Sequence, residues 1–367
     1  MKRVSYILSM LIATLASCSN EPISIEPNSD PYKQIYLSVA LDKRASTRTP
    51  YELTAPTTEK PLNVDVWAST KKYIFPADTL DGSSPSGDVA LHATARFQSS
   101  DPQLLNQAIY KPDRTVYFVA MYPQGWEARY EDTEANFTIN GAQDILFAPQ
   151  IYGTYDIDYE KTPTLHFYHL LTWLNFEIKA EDEDAINAWG KVKNIRIISN
   201  KDVCIDLSAN AYTETTSGKD TIFNYKTSGY KFETEDTLPL YHINPPSETI
   251  TADTTFAQKY PAGYELETTA HQVAYVMCAP VDGSYTDALD KLTNEYILVV
   301  ETEKRTIEVN IDLKKGAGNT SSDYFTGSTM GRKFNIQLNF KLGNTITVSA
   351  KMNDWETGGI INKDVEE

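Results

Sequence analysis

The chain has 367 residues, 41% of them apolar, and its 50 acidic against 33 basic side chains give a formal net charge of −17. That much apolar mass excludes a globally disordered chain, and the length suits two domains of ordinary size. A polyanion with no Lys/Arg cluster repels phosphate backbones and anionic head groups, so no nucleic-acid partner is expected.

The first eighteen residues read as an export signal. Lys2 and Arg3 precede an apolar run from Val4 to Ala16, which ends in Leu15-Ala16-Ser17-Cys18. The run is about 14 residues, too short for a bilayer-spanning helix of ~20. Small residues ahead of a cysteine form a lipobox. The expectation is cleavage before Cys18 and lipid on its sulfur, hence a lipid anchor. Residues 19–33 are polar, with Pro22, Pro27 and Pro31, and read as a tether.

Periodicity two begins at residue 35. Ile35, Leu37, Val39 and Leu41 share one face and Tyr36, Ser38 and Ala40 the other, which predicts a half-buried strand. A basic, turn-prone connector follows, from Asp42 to Pro50. Exposed connectors are preferred sites of proteolysis. A trypsin-like or arginine-specific protease would cut after Arg44 or Arg48, leaving Ala45 or Thr49 as the new first residue. The cut would free lipid, tether and strand together. The alternative, loop arginines that are never cut, stands beside it. The N-terminal divisions are therefore a leader over 1–18 and a tether with a removable strand over 19–44.

The rest reads as strand after strand. Leu62, Val64 and Val66 alternate ahead of Trp67, and residues 115–121 are apolar throughout. In residues 164–178 the alternation runs through Phe167, His169, Leu171 and Trp173. It then changes phase to Leu174, Phe176 and Ile178, which predicts a β-bulge within one strand. Residues 182–189 predict a short helix, acidic at its start and closed by Gly190. Residues 210–265 read as long loops or a surface excursion. A hairpin is expected over 295–300 and 306–313. A second runs from Phe334 to Met352 through a two-residue Gly343-Asn344 turn, with Gly343 taking the positive φ. The fold class is all-β: antiparallel sandwiches with one or two short helices, divided near the helix into domains over 45–182 and 183–367.

Little in the sequence marks chemistry. His166 and His169 are three apart on a strand and so face opposite ways, which is poor geometry for one metal. Glu181-Asp182-Glu183-Asp184 lacks calcium-loop spacing and reads as a helix start. Asp156 and Asp158 sit on a tyrosine-rich loop where calcium or sugar contact is conceivable. Trp67 and Trp126 read as packing residues before sugar platforms. Cys204 and Cys278 form one disulfide or stay free, and the strand pattern around Cys204 favours a free core thiol. No catalytic set, metal site or cofactor motif stands out, so no enzyme is expected.

Four segments stand together in a recognisable order behind the lipobox, the first strand and Arg44-Ala45. They are residues 116–123 (VYFVAMYP), 144–148 (DILFA), 165–174 (LHFYHLLTWL) and 348–355 (VSAKMNDW). In these the chain resembles the fimbrillins, subunits of type V pili of Gram-negative anaerobes, over most of its length except 210–265. The resemblance implies two transthyretin-like β-sandwich domains in a lipoprotein precursor that passes from the outer membrane to a cell-surface fimbrium. It implies an arginine-specific protease that removes the first strand and a groove filled by a C-terminal strand of the next subunit. The implied partners are other copies of the chain, other fimbrial subunits and surface receptors of host or bacteria. Donor candidates are Ile346, Val348, Ala350 and Met352, with Ile361 and Val365 in the tail. The alternatives are an anchor or tip subunit that does not polymerise, or a surface glycan-binding lipoprotein.

Overall fold

The computed structural model describes residues 33–41, 56–58, 61–73, 90–99, 101–110, 115–129, 133–155, 162–217, 220–243, 254–281, 296–311, 313 and 329–353. In the first half the strands are β1 (Lys33–Leu41), β2 (Leu62–Ser69), β3 (Ala90–Phe97), β4 (Gln103–Tyr110) and β5 (Thr115–Tyr122). Then come β6 (Glu127–Arg129), β7 (Glu134–Thr138), β8 (Leu146–Thr154), β9 (Thr164–His169) and β10 (Thr172–Ala180). Helix α1 (Glu183–Trp189) leads into β11 (Val192–Asp206), β12 (Tyr212–Ser217), β13 (Asp220–Tyr225), β14 (Tyr230–Pro239) and β15 (Tyr241–His242). After helix α2 (Phe256–Lys259) follow β16 (His271–Cys278), β17 (Tyr296–Thr302), β18 (Thr306–Ile311), β19 (Lys333–Lys341) and β20 (Thr345–Asn353).

The fold is all-β and mostly antiparallel, as the alternation predicts. Seven strands form one sheet in the order β3-β2-β5-β8-β9-β1-β4. Strands β3 and β4 stand at opposite ends of that order yet follow each other in the chain, so the sheet bends round. Its inner face closes on a core that includes Ile35, Leu37, Val64, Phe97, Phe118 and Phe167. A five-stranded sheet (β15-β16-β10-β19-β20) and a six-stranded one (β18-β17-β11-β7-β6) contribute to a second, larger core. Trp67, Val119, Met121 and Phe147 of the first sheet belong to that second core, which joins the two halves.

Two expectations change where tertiary structure decides the outcome. The phase slip in 164–178 is no bulge: β9 ends at His169 in the seven-stranded sheet and β10 starts at Thr172 in the five-stranded one. Leu170 and Leu171, both fully buried, carry the chain across. Crossing between sheets changes which residue parity faces a core, so it mimics an inserted residue. Strands β6 and β7, which precede β10 in the chain, pair in the sheet of β11. The last hairpin turns through three residues, since Lys341 pairs Thr345. Asn344 takes the left-handed conformation at φ 59°. Asparagine tolerates that region better than most residues and suits a three-residue hairpin loop.

The described part of region 210–265 carries regular secondary structure. Strands β12 and β13 form a hairpin whose Tyr212, Phe223 and Tyr225 meet Tyr73, Tyr117, Tyr152 and Phe147 of the first half. Strand β14 pairs along β11 from Arg196 to Ile205. Helix α1 forms where expected. The Asp182 side chain caps it by accepting from Ala185 N, and Gly190 ends it at φ 67° and ψ −153°. Trp189 is fully buried; its indole N–H donates to the Lys341 carbonyl at 2.8 Å, and the Arg305 guanidinium lies 4.7 Å from its ring centre.

Candidate functional site

The first strand sits inside a sheet, not at its rim. The N-terminal half of β1 pairs antiparallel with β4, from Lys33↔Tyr110 to Leu37↔Gln103, with a register shift between Gln34 and Tyr36. Its C-terminal half pairs parallel with β9, from Ser38↔Thr164 to Leu41↔Phe167. The strand thus bridges two others, and neither is its neighbour in sequence. No tight hairpin fixes its register. What fixes it is the two ladders and the row of side chains beneath.

That row follows the predicted alternation. Ile35 and Leu37 are fully buried, Val39 is 4% exposed, and Leu41 packs at the edge of the core. Each buried aliphatic is worth ~1.5–3 kcal/mol, so the first three together contribute roughly 5–9 kcal/mol to seating the strand. Leu105 of β4, Leu165 and Phe167 of β9, and Phe97 of β3 belong to the same hydrophobic core. One side-chain polar contact across the ladders lies among the described residues. Ser38 Oγ and Thr164 Oγ1 are 2.7 Å apart, and the Tyr36 hydroxyl donates to Gln34 within β1 itself. Apolar shape and main-chain hydrogen bonds hold β1, and any strand of the same pattern and direction offers both.

Other residues singled out by the sequence fall as follows. Cys18, Arg44, Ala45, Arg48, Asp156, Asp158, Ile361 and Val365 lie outside the described residues. The donor candidates Ile346, Val348, Ala350 and Met352 lie on β20, which pairs with β19 along its length. Ile346 and Ala350 are buried in the chain's own core and Val348 is half-buried. Strand β20 ends its sheet, as β18 ends the facing one, and Ile307, Val309, Ile346 and Val348 line an open cleft of about 350 Å3 between them. His166 points outward, whereas His169 is buried and its Nδ1 meets Asp144 Oδ2. Trp67 and Trp126 are buried, at 2% and 4% exposure. Trp67 stacks on His92, and the backbone N–H groups of Gly125 and Trp126 donate to Asp65.

Cys204 and Cys278 are both buried and unbridged. Burial, with the Glu134 carboxylate nearby, pushes the Cys204 thiol up to about 12, and burial raises Cys278 as well. Neither is a reactive thiol at neutral pH. Among the described residues no three His, Cys, Asp or Glu side chains gather as a metal site, and no helix is long and apolar enough to cross a membrane.

No protein-family model matches the chain, and neither does any curated protein. Solved structures are similar to it along most of its length. One is a proposed cell adhesion protein from Bacteroides ovatus, 14% identical, with a TM-score of 0.47 over 89% of this chain and 99% of that one. Another is a proposed adhesin from Bacteroides thetaiotaomicron, 10% identical, with a TM-score of 0.42 over 89% and 97%. A third is the fimbrial anchor protein Mfa2 from Porphyromonas gingivalis, 10% identical, with a TM-score of 0.34 over 88% and 98%.

The walls of the slot were the part that sequence reading missed. Strand β4 reads QLLNQAIY, where adjacent Leu104 and Leu105 blur the alternation. Leu105 is buried and Leu104 is 41% exposed, so the parity of a single leucine was the available signal.

Proposed function

We propose that the chain is a structural subunit of a cell-surface fimbria with a role in adhesion. It enters assembly when β1 is released and a strand of another subunit takes its slot. The role is non-enzymatic. The observation that carries the reading is β1 itself, an interior strand seated by Ile35, Leu37 and Val39 and paired with β4 and β9, neither of them its neighbour in sequence. Strand addition works through main-chain ladders, with alternate side chains filling pockets, and this slot has both.

A cut after Arg44 or Arg48 would leave β1 without covalent connection to the body. Roughly 5–9 kcal/mol of apolar burial then resists spontaneous loss of the strand. Exchange is favoured only when an incoming strand restores that burial. The incoming strand is drawn from the C-terminal stretch that holds Ile346, Val348, Ala350, Met352, Ile361 and Val365. Lending β20 would expose Ile346 and Ala350, buried in the donor's own core. The lipid on Cys18 would hold the precursor at the outer membrane until the cut. A subunit that kept its lipid would serve as anchor.

The test is limited digestion with an arginine-specific protease, followed by intact mass and size-exclusion chromatography. The expected result is a product starting at Ala45 or Thr49, loss of the released peptide, and a ladder of oligomers that the uncut protein does not form. A chain that is cut there yet stays monomeric with β1 retained overturns the reading.

A further inference from the structure

We infer that strand β4 is a flap: it swings away from β1 while β1 is still seated against β9, and its freed edge is where an incoming strand first pairs. The motion belongs to the uncut chain, and its use in assembly rests on the strand-exchange reading above.

The two neighbours of β1 are held very differently. Strand β9 pairs with β1 without a break, over Ser38↔Thr164, Val39↔Leu165, Ala40↔His166 and Leu41↔Phe167. The Ser38 N–H also donates to the Pro163 carbonyl at 3.0 Å, and the Ser38 and Thr164 hydroxyl oxygens are 2.7 Å apart. On its far side β9 pairs with β8 through Leu146↔His169 and Phe147↔Tyr168, and its Leu165 and Phe167 are fully buried. The chain then runs through the buried Leu170 and Leu171 into β10. Displacing β9 would break two ladders and lift two fully buried side chains.

Strand β4 stands at the end of the sheet, and its one ladder among the described residues is with β1. That ladder comes in two pieces, Lys33↔Tyr110 with Gln34↔Ile109 and Tyr36↔Leu104 with Leu37↔Gln103. Between the pieces Ile35 alone faces residues 105–108 of β4, so the β4 side carries surplus residues. A surplus of this kind disrupts the ladder locally. Strand β3 lies close by where the sheet bends round, yet no ladder joins it to β4 among the described residues. Leu105 is buried, but Leu104 stands 41% exposed opposite Tyr36. Native-state openings of lowest cost come from segments with few ladder and core partners. Strand β4 is such a segment, with one interrupted ladder against two unbroken ones for β9.

Swinging out, β4 bares the backbone groups that it shared with β1. A free strand edge is a template for pairing. An incoming strand that runs in the sense of β1 pairs antiparallel with β4, as β1 does, and is carried in as β4 closes and β1 leaves. The slot therefore opens at the seam between β3 and β4. The partner, a strand of a second copy of the chain, meets β4 before it meets β9.

The test is hydrogen–deuterium exchange of the uncut full chain and of two double-cysteine variants. Tyr36→Cys with Leu104→Cys ties β1 to β4 across an antiparallel pair on the exposed face, and such pairs lie within disulfide reach. Ser38→Cys with Thr164→Cys ties β1 to β9, where the two hydroxyl oxygens are already in contact. In the unmodified chain, ladder amides of residues 103–110 should exchange at least ~100-fold faster than those of residues 164–169. Oxidising the β1–β4 pair should slow residues 103–110 by about tenfold or more, and oxidising the β1–β9 pair should leave them as they were, with the reduced forms as controls for folding. Three results overturn the flap: exchange in β4 as slow as in β9; equal slowing by both disulfides, which would mean that β4 opens only when β1 itself leaves; or slowing by neither. A chain that shows the expected pattern yet stays monomeric after the cut keeps the flap and overturns the assembly reading alone.

Discussion

Leucine 37 offers the sharpest test of how β1 is seated. It is fully buried, stands between the equally buried Ile35 and Val39, and pairs with Gln103 across the ladder. Leu37→Ala removes the side-chain carbons that enter the slot but keeps the main-chain hydrogen bonds. Such truncations in well-packed cores cost 2–5 kcal/mol, so a loss of about 3 kcal/mol is expected. Tyr36, the adjacent residue, is 44% exposed, and Tyr36→Ala should cost less than ~1 kcal/mol. Urea unfolding of the three full-length proteins, followed by circular dichroism, reads the difference as a midpoint shift. A second arm uses the cut protein after its strand has been displaced. A synthetic peptide of residues 33–41 should rebind, and the Leu37→Ala peptide should bind about 100-fold more weakly, the equivalent of ~3 kcal/mol. Equal losses for Leu37→Ala and Tyr36→Ala, or equal binding by the two peptides, would refute seating by the apolar row.

Three further outcomes follow from the described geometry. Asp144→Ala removes the carboxylate that meets the buried His169 and should cost roughly 2–4 kcal/mol in the same urea assay, whereas Glu183→Ala at the exposed helix start should cost under ~1 kcal/mol. Gly190→Ala should destabilise the chain by about 1–3 kcal/mol, because φ 67° with ψ −153° is a glycine conformation and the new Cβ would lie 2.8 Å from Glu303 Oε2; a thermal midpoint unchanged from wild type would contradict this. The Cys204 thiol is held up to about 12 in the fold against ~8.5 unfolded, so the folded chain holds that proton more tightly. Its contribution to stability is complete below pH ~8.5 and is lost as pH climbs toward 12. Urea midpoints should therefore fall between pH 9 and 11 and fall less in Cys204→Ala, and native thiols should resist a disulfide reagent at pH 8.

The local pattern was legible wherever a strand buries one face. Phe334, Ile336, Leu338 and Phe340 alternate and are buried as the alternation requires, and so are Ile35, Leu37 and Val39. Partner choice was not legible. Parallel pairing of β1 with β9 and of β10 with β19 joins segments far apart in sequence, and no residue in either strand encodes the other. The change of phase after His169 was visible, but its meaning needed the second sheet, since a bulge and a crossing both flip parity. Tyrosines 212 and 225 resembled loop residues until the hairpin folded over Tyr73 and Phe147.

The ladders of β1 differ in sense on their two sides, antiparallel toward β4 and parallel toward β9. A replacement peptide reproduces both only by threading the same way round. Under the assembly proposed above, every junction in a fibre would then share one heading, and subunits would queue head to tail with unlike ends. A contact of that heterologous kind builds an open filament wherever its rotation does not close a ring. One tip would present an empty seat and the other a spare strand, so growth would be confined to a single vector.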